Sequence, residues 1–243
     1  MLFMRYDQTF LQANAYILAD DEARVALVVD PGAGSAGWIS RTLAENGLDL
    51  GAVLLTHGHP DHVWDSAKVA GEKPVFIPQP DMYRMDDPLA SMPADAGRDL
   101  ALQRLGGGDW VKPANLQALP VAMLSQGVEL VPGLAMRALP APGHTEGSTL
   151  FICEGHITQT PYAVMLPTGR KEIFMLGGDV IFNGGIGRTD LPGGDEYEMA
   201  STLRLLVQSI RPETFIFPGH GPHTMMFHEI RHSPYIQAAM SGK

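Results

Sequence analysis

The chain has 243 residues, 45% of them hydrophobic and 18% charged, with a net charge of −10 and a single cysteine. That is enough apolar material for a sizeable core in one domain, and the acidic balance, with no Lys/Arg cluster to override it, argues against nucleic acid and anionic lipid as partners. No apolar run approaches the roughly 20 residues needed to span a bilayer, no disulfide can form within the chain, and residues 1–7 lack the zones of a secretory leader, so a cytoplasmic location is expected.

Strands are predicted over 2–6, 14–19 and 24–29, the last two joined by the turn Asp20-Asp21-Glu22 as part of a meander. Residues 25–29 are apolar without alternation, as in a strand covered on both faces, and Asp30-Pro31-Gly32 ends them. A helix over 35–46 keeps Trp38, Ile39, Leu43 and Ala44 at helical spacing and stops at Asn46-Gly47. Next come a strand over 52–56, the run His57-Gly58-His59-Pro60-Asp61-His62, a helix at about 61–70 and a strand over 74–77. From 78 to 119 the composition turns to Pro, Gly, Asp and Met, with one helix over 98–105 and a break at Gly106-Gly107-Gly108. A stretch of this length reads as a lid-like insertion in a single domain spanning 1–243, flanking the site without supplying ligands.

In the second half, 128–131 and 134–139 form a hairpin around Pro132-Gly133, and strands over 149–153 and 172–176 flank 154–170, read as a long hairpin arm. A helix over 195–210 has Asp195 and Glu198 at capping-box spacing and a core stripe of Met199, Leu203, Leu206, Val207 and Ile210. A strand over 214–217 and a short helix from about Met226 close the chain. Cys153 sits in an apolar strand with nothing nearby to lower its pKa, so it reads as a buried inert thiol. Two β-rich halves, each with helices on one side, imply two packed sheets with helices outside.

The run at 57–62 is a metal-binding signature. Alternate side chains of a strand point the same way, so His57 and His59 leave its end as a pair. Gly58 removes a Cβ where the backbone is expected to approach an ion, and Pro60 presets the first helical residue, which puts Asp61 and His62 in the opening helical turn. Two ligand pairs converging from two directions suit two adjacent divalent cations. Such a centre needs six or seven protein ligands, and three more positions qualify: His144 in Pro142-Gly143-His144-Thr145, Asp179 in Gly177-Gly178-Asp179, and His220 in Pro218-Gly219-His220-Gly221. Each has glycine beside it at the end of an apolar strand, read as room for a bound ion. His156, His223, His228 and His232 lack that setting and read as surface residues or helix partners, with His223 close to His220.

With Thr56-His57-Gly58-His59-Pro60-Asp61-His62, His144, Asp179 and His220 in this order, the chain resembles the metallo-β-lactamase superfamily over nearly its whole length. Within it, the chain is similar to the glyoxalase II-like thioester hydrolases through Gly177-Gly178-Asp179-Val180-Ile181-Phe182, Gly185-Ile186-Gly187-Arg188-Thr189-Asp190 and Pro218-Gly219-His220-Gly221-Pro222. The resemblance implies an α+β fold, a four-layer αββα sandwich with metals at one edge. It implies that His57, His59 and His144 bind one cation, that Asp61, His62 and His220 bind the other, and that Asp179 bridges them, with Asp61 and Asp179 counted as catalytic. In the main zinc β-lactamases a cysteine takes the position of Asp179, so antibiotic hydrolysis is not expected.

Two such cations lower the pKa of a shared water from about 15.7 towards about 7, which supplies a bridging hydroxide as nucleophile, and one of them can polarise a carbonyl. The ligand types suit zinc first, then iron or manganese. Asp30, Thr56 and Thr145 are placed to orient ligand imidazoles. The expected reaction is hydrolysis of a small 2-hydroxyacyl thioester, whose thiolate, from a thiol of pKa about 8.5, leaves with little acid assistance. The helical region that holds glutathione in glyoxalase II enzymes is absent or severely shortened in the 23 residues after His220 (221–243), so another thiol carrier is expected. Arg170, Lys171 and Arg188 are the cations available for a substrate carboxylate. The rival reading is a persulfide dioxygenase with one iron held by two histidines and one aspartate. A nuclease is disfavoured by the acidic charge, and a structural site by a ligand set that leaves room for water. Oligomeric state is left open.

Overall fold

A computed structural model describes residues 1–90, 92–158, 160 and 171–242. Strands β1 (Leu2–Asp7), β2 (Asn14–Ala19) and β3 (Val25–Val29) form the expected antiparallel meander. Helix α1 (Ala36–Glu45) then crosses over, and β4 (Asp49–Leu54) lies parallel to β3. Helices α2 (Pro60–Val63) and α3 (Ser66–Ala70) lead to β5 (Val75–Ile77), and helix α4 (Ala96–Gly106) precedes β6 (Leu116–Ala118). The first sheet has the order β1-β2-β3-β4-β5-β6. The second is built from β7 (Val128–Val131), β8 (Leu134–Pro140), β9 (Thr149–Gly155) and β10 (Glu172–Gly178). After the small hairpin β11 (Ile181–Phe182) and β12 (Gly185–Ile186) come helix α5 (Glu196–Ser209), β13 (Phe215–Pro218) and β14 (Thr224–Met225), giving the order β14-β13-β10-β9-β8-β7. Helices α6 (Met226–His232) and α7 (Pro234–Ser241) follow.

Side-chain alternation assigns the layers. Tyr16 and Leu18 of β2 point between the sheets, where they join Phe151, Phe174 and Phe217, while Ile17 and Ala19 point the other way, towards Ile39 of α1. On the second sheet Leu150, Met175 and Ile216 face outward and are covered by Leu203 and Leu206 of α5 and Ile236 of α7. The result is the expected four-layer αββα sandwich, in which both faces of each sheet are buried.

Local departures from the sequence reading have local causes. The single helix expected at 61–70 is two, because Asp65 turns away from the helix: its amide donates to Pro31 O at 2.9 Å and its carboxylate accepts from Gly34 N and Ala36 N. The C-terminal helix is also two, since Pro234 has no N–H with which to continue α6 and instead starts α7 beneath a Ser233 cap. Segment 78–119, expected as a lid-like insertion, contributes buried side chains. It opens with a 3₁₀ turn, Gln79–Met85, whose Asp81, Arg84 and Met85 are buried, and ends in β6, a parallel edge strand three residues long and too short to show a period. The arm expected at 154–170 begins as β9 paired to β10, with Gly155 opposite Glu172; residues 161–170 lie outside the described residues. Among the described residues no helix is long and apolar enough to cross a membrane.

Candidate metal centre

The C-terminal ends of β4, β8, β10 and β13 all lie at one edge of the sandwich, and the loops leaving them carry the seven expected side chains. His57 and His59 follow β4, Asp61 and His62 form the first turn of α2, with Pro60 at its first position as expected. His144 follows β8, Asp179 follows β10 and His220 follows β13. Their donor atoms gather into three interlocking groups, each within 4.8 Å: His57, His59 and His144; His57, His62 and Asp179; Asp61, His62 and His220.

The contacts inside this cluster bring its donor atoms close enough together that they could hold a cation. His59 Nδ1 lies 2.8 Å from His144 Nε2, and His62 Nε2 lies 3.3 Å from His220 Nε2. His220 Nε2 is 3.3 Å from both Asp61 Oδ2 and Asp179 Oδ2, while Asp179 Oδ1 is 3.2 Å from His62 Nε2. Among the described residues His57 Nε2 is buried without a hydrogen-bond partner, and Asp179 Oδ1 is buried with nothing beyond its 3.2 Å approach to His62 Nε2. Buried polar atoms are ordinarily satisfied, so orphaned donors and acceptors converging on one another fit a divalent cation well.

The rims of the rings are held from outside. His57 Nδ1 meets Thr56 Oγ1 at 3.0 Å, His62 Nδ1 meets Asp30 Oδ2 at 3.1 Å, His144 Nδ1 meets Arg188 O at 2.7 Å and His220 Nδ1 meets Leu11 O at 3.0 Å. Each acceptor keeps the proton on Nδ1 and turns Nε2 inward. Asp30 is 1% exposed and sits at φ +50°, in the left-handed region that Asp tolerates; its oxygens also accept from Thr56 N at 2.8 Å and Thr56 Oγ1 at 2.7 Å.

Electrostatics divides the cluster into two kinds of donor. Burial, reinforced by the neighbouring imidazoles, holds His57 well below the usual histidine range and pushes His59 down to about 3, so both present free lone pairs at neutral pH. Burial works against ionisation of Asp61, but His62 and His220 outweigh it and hold the carboxyl at about 2; the same pair holds Asp179 well below the usual carboxylate range. In return, Asp179 overcomes burial to raise His62 well above its ordinary value and to push His220 up to about 10. The protons carried there are the ones a cation would replace.

Among the other sequence-predicted residues, Asp30 and Thr56 reach ligand imidazoles, whereas Thr145 bonds Asp81 and Ser148 instead. The reading of Gly58 needs correction: a Cβ there would meet Arg84 Cβ and Cδ at 2.8 Å, so the glycine makes room for a buried side chain. Gly219 does adjoin the cluster, since a Cβ there would come 2.0 Å from Asp179 Oδ1. Lys171 is placed at the opposite end of β10 from Asp179, eight residues away and so about 26 Å along an extended strand. The Arg188 guanidinium is paired with Asp190, and Arg170 lies outside the described residues. His156, His223, His228 and His232 stay out of the donor groups; the last two lie on α6 with ring centroids 4.7 Å apart and planes tilted by 42°. Sequence reasoning missed the Leu11 and Arg188 carbonyls, for which residue type carries no signal, and Asp81, a lone carboxylate in a stretch without periodicity.

Comparison with known proteins agrees with this geometry. The family described as "Metallo-beta-lactamase superfamily" matches residues 8–157. The chain is 31% identical over 236 residues to "Hydroxyacylglutathione hydrolase GloC" of Haemophilus influenzae, with 95% of each chain covered. Among solved structures it resembles the BLEG-1 B3 metallo-beta-lactamase, with TM-score 0.72 and 27% identity over 97% of this chain and 99% of that one. It also resembles TTHA1623 in a di-iron-bound form, with TM-score 0.66 and 30% identity over 95% and 98% of the two chains. Family match, sandwich and donor cluster together make this chain a member of the metallo-β-lactamase superfamily of metal-dependent hydrolases.

Proposed function

We propose that the protein is a dinuclear metal-dependent hydrolase that cleaves a 2-hydroxyacyl thioester, in the manner of the glyoxalase II-like enzymes. The observation that carries this reading is that His57 is common to the first and second groups and His62 to the second and third, with Asp179 in the group between them, an arrangement that supports two adjacent cation positions. In this reading His57, His59 and His144 would hold one cation and Asp61, His62 and His220 the other, with Asp179 available to both. Zinc is the first choice on ligand type, with iron and manganese as rivals. The chain acts as one domain, with 78–119 flanking the site, on a small-molecule substrate in the cytoplasm and without nucleic acid or membrane.

Divalent cations held here would supply Lewis acidity and bring the pKa of a bound water towards about 7. The chain's own residues do the rest. Burial keeps His57 and His59 unprotonated, and the Arg188 and Leu11 carbonyls fix the ring orientations of His144 and His220. Asp61 and Asp179, ionised at neutral pH, would take up the proton that a bound water gives up, which is the reason for proposing them as the catalytic carboxylates. Cys153 takes no part: it lies in the core between the sheets.

The test is metal analysis of the purified protein joined to a substrate panel of 2-hydroxyacyl thioesters of glutathione and of other thiols, lactones, β-lactams, and a thiol persulfide with oxygen uptake recorded. Two cations per chain and thioester turnover are expected. One iron per chain with oxygen consumption on the persulfide would replace this reading by the dioxygenase. Asp179→Ala should abolish turnover and release at least one cation while the circular dichroism stays native, and unchanged turnover would refute the assignment.

A further inference from the structure

Asp81 is wholly buried, belongs to no donor group, and lies on a segment that carries none of the seven ligands. Its carboxylate nevertheless joins two ligand loops. Oδ2 accepts from Gly58 N at 2.7 Å and from Thr145 Oγ1 at 2.8 Å, and Oδ1 accepts from Gly147 N at 2.8 Å. Gly58 stands between His57 and His59, while Thr145 and Gly147 follow His144. Arg84, itself 1% exposed, backs the carboxylate with Nε 3.4 Å from Oδ1 and anchors to Pro192 O and Glu146. Both loops close tightly on this pair: a Cβ at Gly147 would lie 2.6 Å from Asp81 Cγ, as one at Gly58 would strike the Arg84 stem.

None of these bonds reaches Asp61, His62 or His220. That side of the centre is held by Asp30 and by the Leu11 carbonyl. We propose that Asp81 is a positioning residue dedicated to one half of the centre: it sets the span between the His57/His59 loop and the His144 loop, and so the fit of the cation held by those three histidines. The inference rests on the two-cation reading above. A carboxylate accepting from two backbone amides and a hydroxyl is rigid, whereas an amide in its place has a single acceptor oxygen and must release part of the set. Loss of an outer partner of a metal ligand typically weakens binding about 10- to 100-fold.

The experiment titrates Zn²⁺ into metal-free protein against a chromophoric chelator, with the two classes of site assigned by His144→Ala and Asp61→Ala. In Asp81→Asn the class that His144→Ala removes should weaken by about 10- to 100-fold, while the class that Asp61→Ala removes stays within about threefold. Thr145→Val, which deletes one bond of the set, should move the same class by less; it carries the test if Asp81→Asn does not fold. Leu206→Ala, in the distant helical layer, should lower thermal stability and leave both classes unchanged. Equal weakening of both classes, selective loss of the Asp61 class, or the same selective shift in Leu206→Ala would overturn the inference. Failure of the wild-type protein to hold two Zn²⁺ would instead remove the two-cation reading, and this inference with it.

Discussion

Asp30→Ala is the perturbation that most directly probes how the centre is held. Its carboxylate accepts from Thr56 N, Thr56 Oγ1 and His62 Nδ1 at 2.8, 2.7 and 3.1 Å, all in buried surroundings. Removing the acceptor strands three donors, each worth about 1–3 kcal/mol when left buried and unpaired. Relaxation and water entry into the space limit the sum, and a loss of about 3–5 kcal/mol is the expected scale for breaking a buried charged partner. Alanine at φ +50° adds about 1 kcal/mol more, because it lacks the local hydrogen bonding with which Asp tolerates that conformation. For a chain of this length, the total of about 4–6 kcal/mol corresponds to a fall in Tm of about 8–24 °C. The measurement is thermal unfolding of metal-free protein followed by circular dichroism, with Asp30→Asn as an intermediate case that keeps one acceptor oxygen. Because His57 is reached through Thr56 and His62 directly, both classes of Zn²⁺ site should weaken in the alanine variant, in contrast to Asp81→Asn. A Tm within about 2 °C of wild type, with both sites intact, would refute the account of Asp30 as the shared brace.

Four further outcomes are expected. Cation binding at pH 7 should release protons, since His220 is held at about 10 and His62 well above its usual value in the metal-free protein, so apparent affinity should rise with pH across the neutral range; a pH-independent affinity would contradict the assignment. For the metal-free fold the sign is opposite: a histidine whose pKa is raised contributes stability fully present below about 6.5 and lost as pH rises through about 10, while Asp61, lowered to about 2, contributes stability present above about 3.8 and lost as pH falls through about 2, so denaturant midpoints should decline at both ends. Cys153 is 3% exposed and burial pushes its thiol up to about 12, so a thiol-specific reagent should modify it only after unfolding. Asp195→Ala, which removes the cap accepting from Tyr197 N at 2.8 Å and Glu198 N at 2.9 Å, should cost about 1 kcal/mol and no cation.

Patterns repeated along the chain are legible in the sequence itself. Period-2 and period-3.6 spacing marked most strands and helices, Pro60 marked the start of α2, and seven His and Asp residues at strand ends marked the whole donor cluster, because chemistry that needs particular side chains must write them into the sequence. The layers followed from the same alternation, which sends Tyr16 and Leu18 inward and Ile17 and Ala19 outward. Features made by backbone groups or by distant meetings were not legible. Nothing in the residue names of Leu11 or Arg188 says that a carbonyl will hold an imidazole, and Gly58 looked like room for an ion when the neighbour is Arg84. Likewise the role of Asp81 exists only because the sandwich brings residue 58 and residues 145–147, far apart in the chain, within reach of one carboxylate. Side-chain chemistry and periodicity are local properties and are carried by the sequence; which buried groups complete one another's hydrogen bonds depends on the packing of the whole chain, and only the tertiary structure decides it.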